Sequence, residues 1–190
     1  MIVTMSNTFD RIRFSRRQAA IVRDLESLGG HIGYEHEWDD RTSRFSGAPK
    51  PGNRLLRAVL GDHFFLVPTL LLFSEFNKSV ESLACMMELR ALTHVGIVDS
   101  PNITDPIVDF LIELPNLVDV SLYGTMVTRT GVARLNKLNH LIGLCVSHTL
   151  VNQEDLNDLQ SLFTNATVYL DNNTPRTDFR ALLADDEKDA

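Results

Sequence analysis

The sequence predicts an α/β protein in which short strands and short helices alternate along a coil, the strands forming one parallel sheet on its concave face. Three observations lead there. One pattern recurs at a fixed step: Leu92, Val95, Ile97, Ser100 and Val108 are matched by Leu117, Val120, Leu122, Thr125 and Val132, then by Leu141, Leu144, Val146, Thr149 and Leu156. The step is 24 residues, stretched to 25 once, where Pro101 and Asn102 lengthen a turn. Within each copy, residues such as Val120 and Leu122 alternate at period two, so both leave one face of a strand. The later residues, Val132, Leu135 and Leu138, fall at helical spacing and pack back onto it. One strand and one helix cannot enclose a core, but stacked copies make the buried face continuous, and the exposed ends then need caps.

Taken in order, residues 1–14 hold few apolar side chains in helical phase and are predicted to be a flexible tail. Residues 15–66 are predicted to form an N-terminal cap of helix, strand, loop and helix. Ser15 and Gln18 have capping-box spacing, Ile21, Val22, Leu25 and Leu28 make one stripe, and Gly29 with Gly30 stops the helix. Ile32, Tyr34, His36 and Trp38 alternate with His31, Gly33, Glu35 and Glu37, a strand pattern. A polar loop runs from Asp39 to Gly52, and Asn53 then caps a short helix carrying Leu55, Leu56, Val59 and Leu60, closed by Gly61.

Residues 67–173 are assigned to about four repeats. Leu70 and Leu72 open a degenerate first copy whose helical part carries Leu83, Met87 and Leu89. The polar residue after each strand, Ser100, Thr125, Thr149 and Asn173, stands where the chain turns inward and backbone groups lose water, so a side chain that donates and accepts is wanted. Thr104, Thr128 and Asn152 are placed as helix N-caps, the last with Asp155 three residues on. Residues 174–190 are read as a short C-terminal cap, with Phe179, Leu182 and Leu183 lying over the last repeat, and an acidic tail.

The L-x-x-L-x-L spacing followed by a small polar residue resembles the leucine-rich repeat family, particularly bacterial members whose copies read L-x-x-L-x-L-x-x-T-x-V-T-x-x-G-L-x-x-L. The likeness covers about half of the chain and extends ahead of it. L-G-G-H-I-G-Y at Leu28 to Tyr34 and L-R-A-V-L-G-D-H-F-F at Leu56 to Phe65 are similar to the stretches that precede the repeats in that family. The resemblance implies a right-handed leucine-rich repeat solenoid, with its parallel sheet on the concave face, and a non-enzymatic module or adaptor for protein–protein interaction.

Composition sets bounds. With 190 residues, 44% of them hydrophobic, the chain can bury a sizeable core. Residues 1–66 carry 10 Lys and Arg against 8 Asp and Glu, whereas 67–190 carry 8 against 17, so the repeats should repel nucleic acid. The most apolar run, Phe64 to Phe73, contains Pro68 and is too short to span a bilayer, so no membrane segment is expected. Two distant cysteines, Cys85 and Cys145, form no metal motif; reduced thiols and the lack of a secretory segment fit a cytoplasmic protein.

No cofactor, metal or catalytic motif is expected. His31, Glu35, His36, Glu37, Asp39 and Asp40 form the densest ligand-capable cluster, but strand alternation sends His31 and His36 to opposite faces. Gly47 to Gly52 mimics a phosphate loop, yet Pro49 and Pro51 remove the needed amide donors. The expected functional surface is the outer side of the stacked strands. Alternation assigns to it Thr69, Leu71, Phe73, His94, Gly96, Val98, Asp119, Ser121, Tyr123, Gly143, Cys145, Ser147, Thr167, Tyr169 and Asp171. Of these, Phe73, His94, Val98, Asp119, Ser121, Tyr123, Cys145, Tyr169 and Asp171 are the candidates for contact with a protein or peptide partner, aromatic anchors within a polar rim being what interfaces concentrate. The alternatives are a structural accessory subunit of a larger assembly and a metal-dependent activity at the His31–Asp40 cluster.

Overall fold

A computed structural model describes residues 8–39, 44–45 and 48–170. The architecture is mixed α/β around a six-stranded sheet. Its first strand, β1 (His31–Tyr34), runs antiparallel to β4 (Pro68–Ser74). Then β4, β5 (His94–Val98), β6 (Asp119–Ser121), β7 (Gly143–Cys145) and β8 (Thr167–Tyr169) follow in chain order, each parallel to the last. The short pair β2 (Trp38–Asp39) and β3 (Arg44–Phe45) stands apart. Helices α1 (Thr8–Ser27), α2 (Arg54–Leu60), α3 (Pro106–Leu111), α4 (Arg129–Ala133) and α5 (Gln153–Leu162) complete the main elements.

The register fixes the inward row as Leu71, Val95, Val120, Leu144 and Val168. These five belong to one core with Leu25, Ile32, Phe73, Ile97 and the helical residues Val108, Val132 and Leu159. The cap and the repeats therefore share a single hydrophobic interior. The 25-residue step leaves this row intact, because the surplus residue is absorbed between Ser100 and Ile103, whose amide donates back to the Ser100 carbonyl.

The predicted polar column is present and satisfied. Ser100 Oγ accepts from the amide of Phe76, 24 residues earlier, at 2.9 Å and donates to the carbonyl of Val98 at 2.8 Å. Thr125 and Thr149 donate to the carbonyls of Leu122 and Val146 at 2.7 and 2.6 Å. A second column marks the repeat independently: Glu75, Asp99, Gly124 and His148 all have positive φ, between 50° and 67°. That conformation is uncommon for residues with a Cβ, so its recurrence at steps of 24, 25 and 24 is a property of the repeated turn.

Several sequence expectations need correction. Helix α1 starts at Thr8, so Ser15 lies buried within it and caps nothing. The strand read over 31–38 stops at Tyr34, and Glu35–Glu37 form a turn of 3-10 helix. In the first copy the helical part is a 3-10 helix, Val80–Glu88, which buries Val80, Leu83 and Met86 in place of Met87, because three residues per turn put every third side chain inward. Thr128 and Asn152 cap α4 and α5, Asn152 with the reciprocal Asp155 bond, whereas the residue ahead of α3 is Asp105 and no side chain caps it. Asp105 instead accepts from the amide and the hydroxyl of Thr128, both at 2.7 Å, and a Cβ on Gly131 would overlap its carboxylate. The expected C-terminal cap at Phe179, Leu182 and Leu183, like Asn173, lies outside the described residues.

Candidate functional site

The outer side of the sheet is set by the row Leu70, His94, Asp119, Gly143 and Thr167 and the row Leu72, Gly96, Ser121, Cys145 and Tyr169. Phe73 therefore faces inward and is 1% exposed, with Leu71 on the same side, so neither belongs to the partner surface. The run Leu70-Leu71-Leu72-Phe73 carries no polar residue to fix its parity, and only the 24-residue step back from Val95 and Ile97 would have done so. Leu70 and Leu72 take the place assigned to Phe73 and form a small apolar cluster with Val98 and half-buried Tyr123.

The face is far less open than alternation implied. Of the nine candidate residues, His94, Val98, Asp119, Ser121 and Cys145 are buried with Phe73, Tyr123 and Tyr169 remain partly accessible, and Asp171 lies outside the described residues. Part of the cover comes from the cap: the Trp38 ring lies on the His94 imidazole with centroids 4.9 Å apart. Sequence reasoning missed this contact, because nothing in the order of residues tells which way the segment after β1 folds.

Beneath Trp38 a polar chain runs along the sheet. Thr93 Oγ1 and His94 Nδ1 are 2.8 Å apart, and His94 Nε2 stands 3.5 Å from Asp119 Oδ2. Asp119 in turn fills the space over Gly143, where any Cβ would overlap its carboxylate. The Thr93 hydroxyl also lies 3.2 Å from the Thr69 carbonyl, to which it donates, so it bridges the imidazole and the neighbouring strand. The order hydroxyl, imidazole, carboxylate is that of a nucleophilic triad, but here the hydroxyl donates to the Thr69 carbonyl. Burial lowers the His94 pKa to about 4, which makes it a poor base at neutral pH. The chain reads as internal hydrogen bonding that satisfies buried polar groups.

Of the six ligand-capable residues of the cap Asp40 lies outside the described residues, and among those described no three His, Cys, Asp or Glu side chains come together to hold a metal ion. Tyr34 lies near His36 and His63, with ring centroids 6.1 and 6.5 Å away. Burial, reinforced by Glu26, Glu37 and Asp62, pushes its phenol up to about 12, so it stays protonated. Burial likewise lowers the pKa of His63.

An accessible concavity lies beside this face, at the start of the strands. Thr69, Thr93, Val118 and Ile142 stand side by side, joined by backbone bonds from Thr93 to Thr69 (2.9 Å), Val118 to Thr93 (2.8 Å) and Ile142 to Val118 (2.7 Å). With Ala91, Asn116 and His140 from the preceding turns, and Glu35 and Val67 from the cap side, they line a groove of about 490 Å³. Its floor is mostly aliphatic, while Glu35 at one end and His140 at the other supply polar ends. Four neighbouring strands spaced ~4.8 Å apart give the groove a length on the order of 15 Å, that of a four- or five-residue extended peptide.

Comparison with known proteins adds little to this geometry. No protein-family model matches the chain, and no curated protein matches it. Among solved structures, the tropomodulin C-terminal domain from Caenorhabditis elegans is similar over 62% of this chain and 80% of that one, with 14% sequence identity and a TM-score of 0.45.

Proposed function

We propose that this chain is a non-enzymatic leucine-rich repeat module, a right-handed solenoid that presents a groove to a protein or peptide partner. The repeat reading is supported by five parallel strands in chain order and by the two columns, polar and left-handed, that recur at the sequence period. The observation that carries the binding reading is the aliphatic groove across the starts of four neighbouring strands, with polar groups at its ends. Concave, largely apolar sites with a few placed polar groups are where ligands bind. A protein or peptide fits better than nucleic acid, since residues 67–190 carry 8 basic against 17 acidic side chains. No helix among the described residues is long and apolar enough to cross a membrane, and both thiols are free, which accords with a cytoplasmic setting.

Ile142 is the groove residue to test, because it is exposed and its replacement leaves the core alone. Affinity purification from lysate should recover a specific partner with the wild type and lose it at least tenfold with Ile142→Asp, at unchanged circular dichroism. Equal recovery by the variant rules out the groove. Should Tyr123→Asp lose the partner in its place, the site moves to the outer face of the sheet.

A further inference from the structure

Helix α2 buries none of its residues. Leu55 is 76% exposed, Leu56 52% and Val59 79%, the largest exposures of any large hydrophobic residues among those described. The helix is nonetheless well formed: Asn53 Oδ1 accepts from the Leu55 amide at 2.8 Å, and Gly61, with φ 86°, receives the chain at its end. A firmly built element that holds its leucines out to solvent spends apolar surface that folding alone would bury.

The charge around it is unlike that of the rest of the molecule. Arg54 and Arg57 lie in the helix and Lys50 just ahead of it, while Asp62, which Lys50 pairs at 2.7 Å, and Glu26, which acts on His63, are acids nearby. The first turns of α1 reach the same corner, because the Arg11 guanidinium lies 5.1 Å from the Phe64 ring, just beyond α2. The same turns carry Arg13, Arg16 and Phe14, all exposed, and Asp10. Residues 8–17 and 48–62 carry seven basic against two acidic side chains, and with Glu88, which pairs Arg17, and Glu26, which acts on His63, the corner keeps an excess of +3 in a chain whose total is −7. Arg17 is engaged by Glu88, but Arg11, Arg13, Arg16 and Arg54 are exposed.

We infer that this basic, apolar corner docks on an anionic lipid bilayer, with Leu55, Leu56 and Val59 dipping into the interface and the surrounding arginines meeting lipid phosphates. Two arguments select that occupant. Three side chains of this size expose on the order of 300 Å² of apolar surface, well short of the roughly 800 Å² per partner that a stable dimer needs. A bilayer sets no such minimum area, and each Arg or Lys near an anionic surface adds its own attraction, which salt weakens. Shallow insertion of a helix with an apolar face and a cationic border is the mode in which proteins lie on membranes without crossing them. The surface is separate from the groove of the preceding section, so either reading can fail alone.

The test uses the full chain and vesicles of phosphatidylcholine, alone or with one third phosphatidylglycerol, in a sedimentation assay. The wild type should bind the anionic vesicles at least tenfold better than the neutral ones, and 0.5 M salt should release it. Leu55→Glu/Val59→Glu should lose at least tenfold of that binding, with an unchanged thermal midpoint because both side chains contact solvent. Arg54→Glu should weaken it several-fold. Absence of binding to anionic vesicles at low salt overturns the inference, as does binding that the double substitution leaves intact. A concentration-dependent dimer that the double substitution dissolves, without vesicle binding, assigns the corner to a second copy and overturns it too.

Discussion

At His94 the sheet carries an imidazole held neutral by burial, its pKa lowered to about 4. Among the described residues, the Thr93 hydroxyl, the Asp119 carboxylate and the Trp38 ring face it. In the unfolded chain the same ring titrates near 6.5. Between those two values the unfolded state binds the extra proton, so stability is complete above about pH 6.5 and is lost as pH falls toward 4. The shift corresponds to at most ~3 kcal/mol, and the nearby carboxylate, which favours the charged ring, reduces it. Urea unfolding at pH 7.5 and pH 4.5 should therefore show an acid loss in the wild type that narrows in His94→Gln. An equal loss in the two proteins contradicts this account of His94. Neither the burial of His94 nor the carboxylate above Gly143 was legible beforehand, since both depend on contacts across the sheet and not on neighbours in the chain.

The repeated turn behaves as an element whose stability hangs on its hydroxyl. Ser100 is fully buried, and its Oγ serves a donor one repeat away and an acceptor two residues back. Ser100→Ala strands the amide of Phe76 and should cost about 1–3 kcal/mol in chemical denaturation, whereas Ser100→Thr keeps the hydroxyl and should cost less. An Ala variant as stable as wild type would mean that water reaches this amide. This column could be read from the sequence because the repeat supplies Ser100, Thr125 and Thr149 as three trials of one position. Where no repetition was available, alternation misled. In β4 four apolar residues in a row left the face undetermined, and after Tyr34 the strand pattern gave way to a turn of 3-10 helix that carries Trp38 over the sheet. Helix α2 was placed correctly from its cap and its closing glycine, yet its apolar residues gave no sign that they would stay in water.

For the molecule as a whole, the shared core predicts that cap and repeats unfold together. Leu25 of α1 is fully buried in the same cluster as Val95 and Val120. Leu25→Ala should cost ~2–5 kcal/mol and leave one transition in a calorimetric scan; two separated transitions would make the cap an independent unit. One further property follows from the turn between Ser100 and Ile103. There the chain carries Pro101 and Asn102, both exposed, where the next copy has Met126 alone, and the strands on either side keep their pairing undisturbed. Copies within the chain already differ in length at this bend, whose one tie to the preceding copy among the described residues is from Asn102 to the Lys78 carbonyl, so a foreign loop, a fluorophore handle or a protease site could be grafted there if that bond is kept.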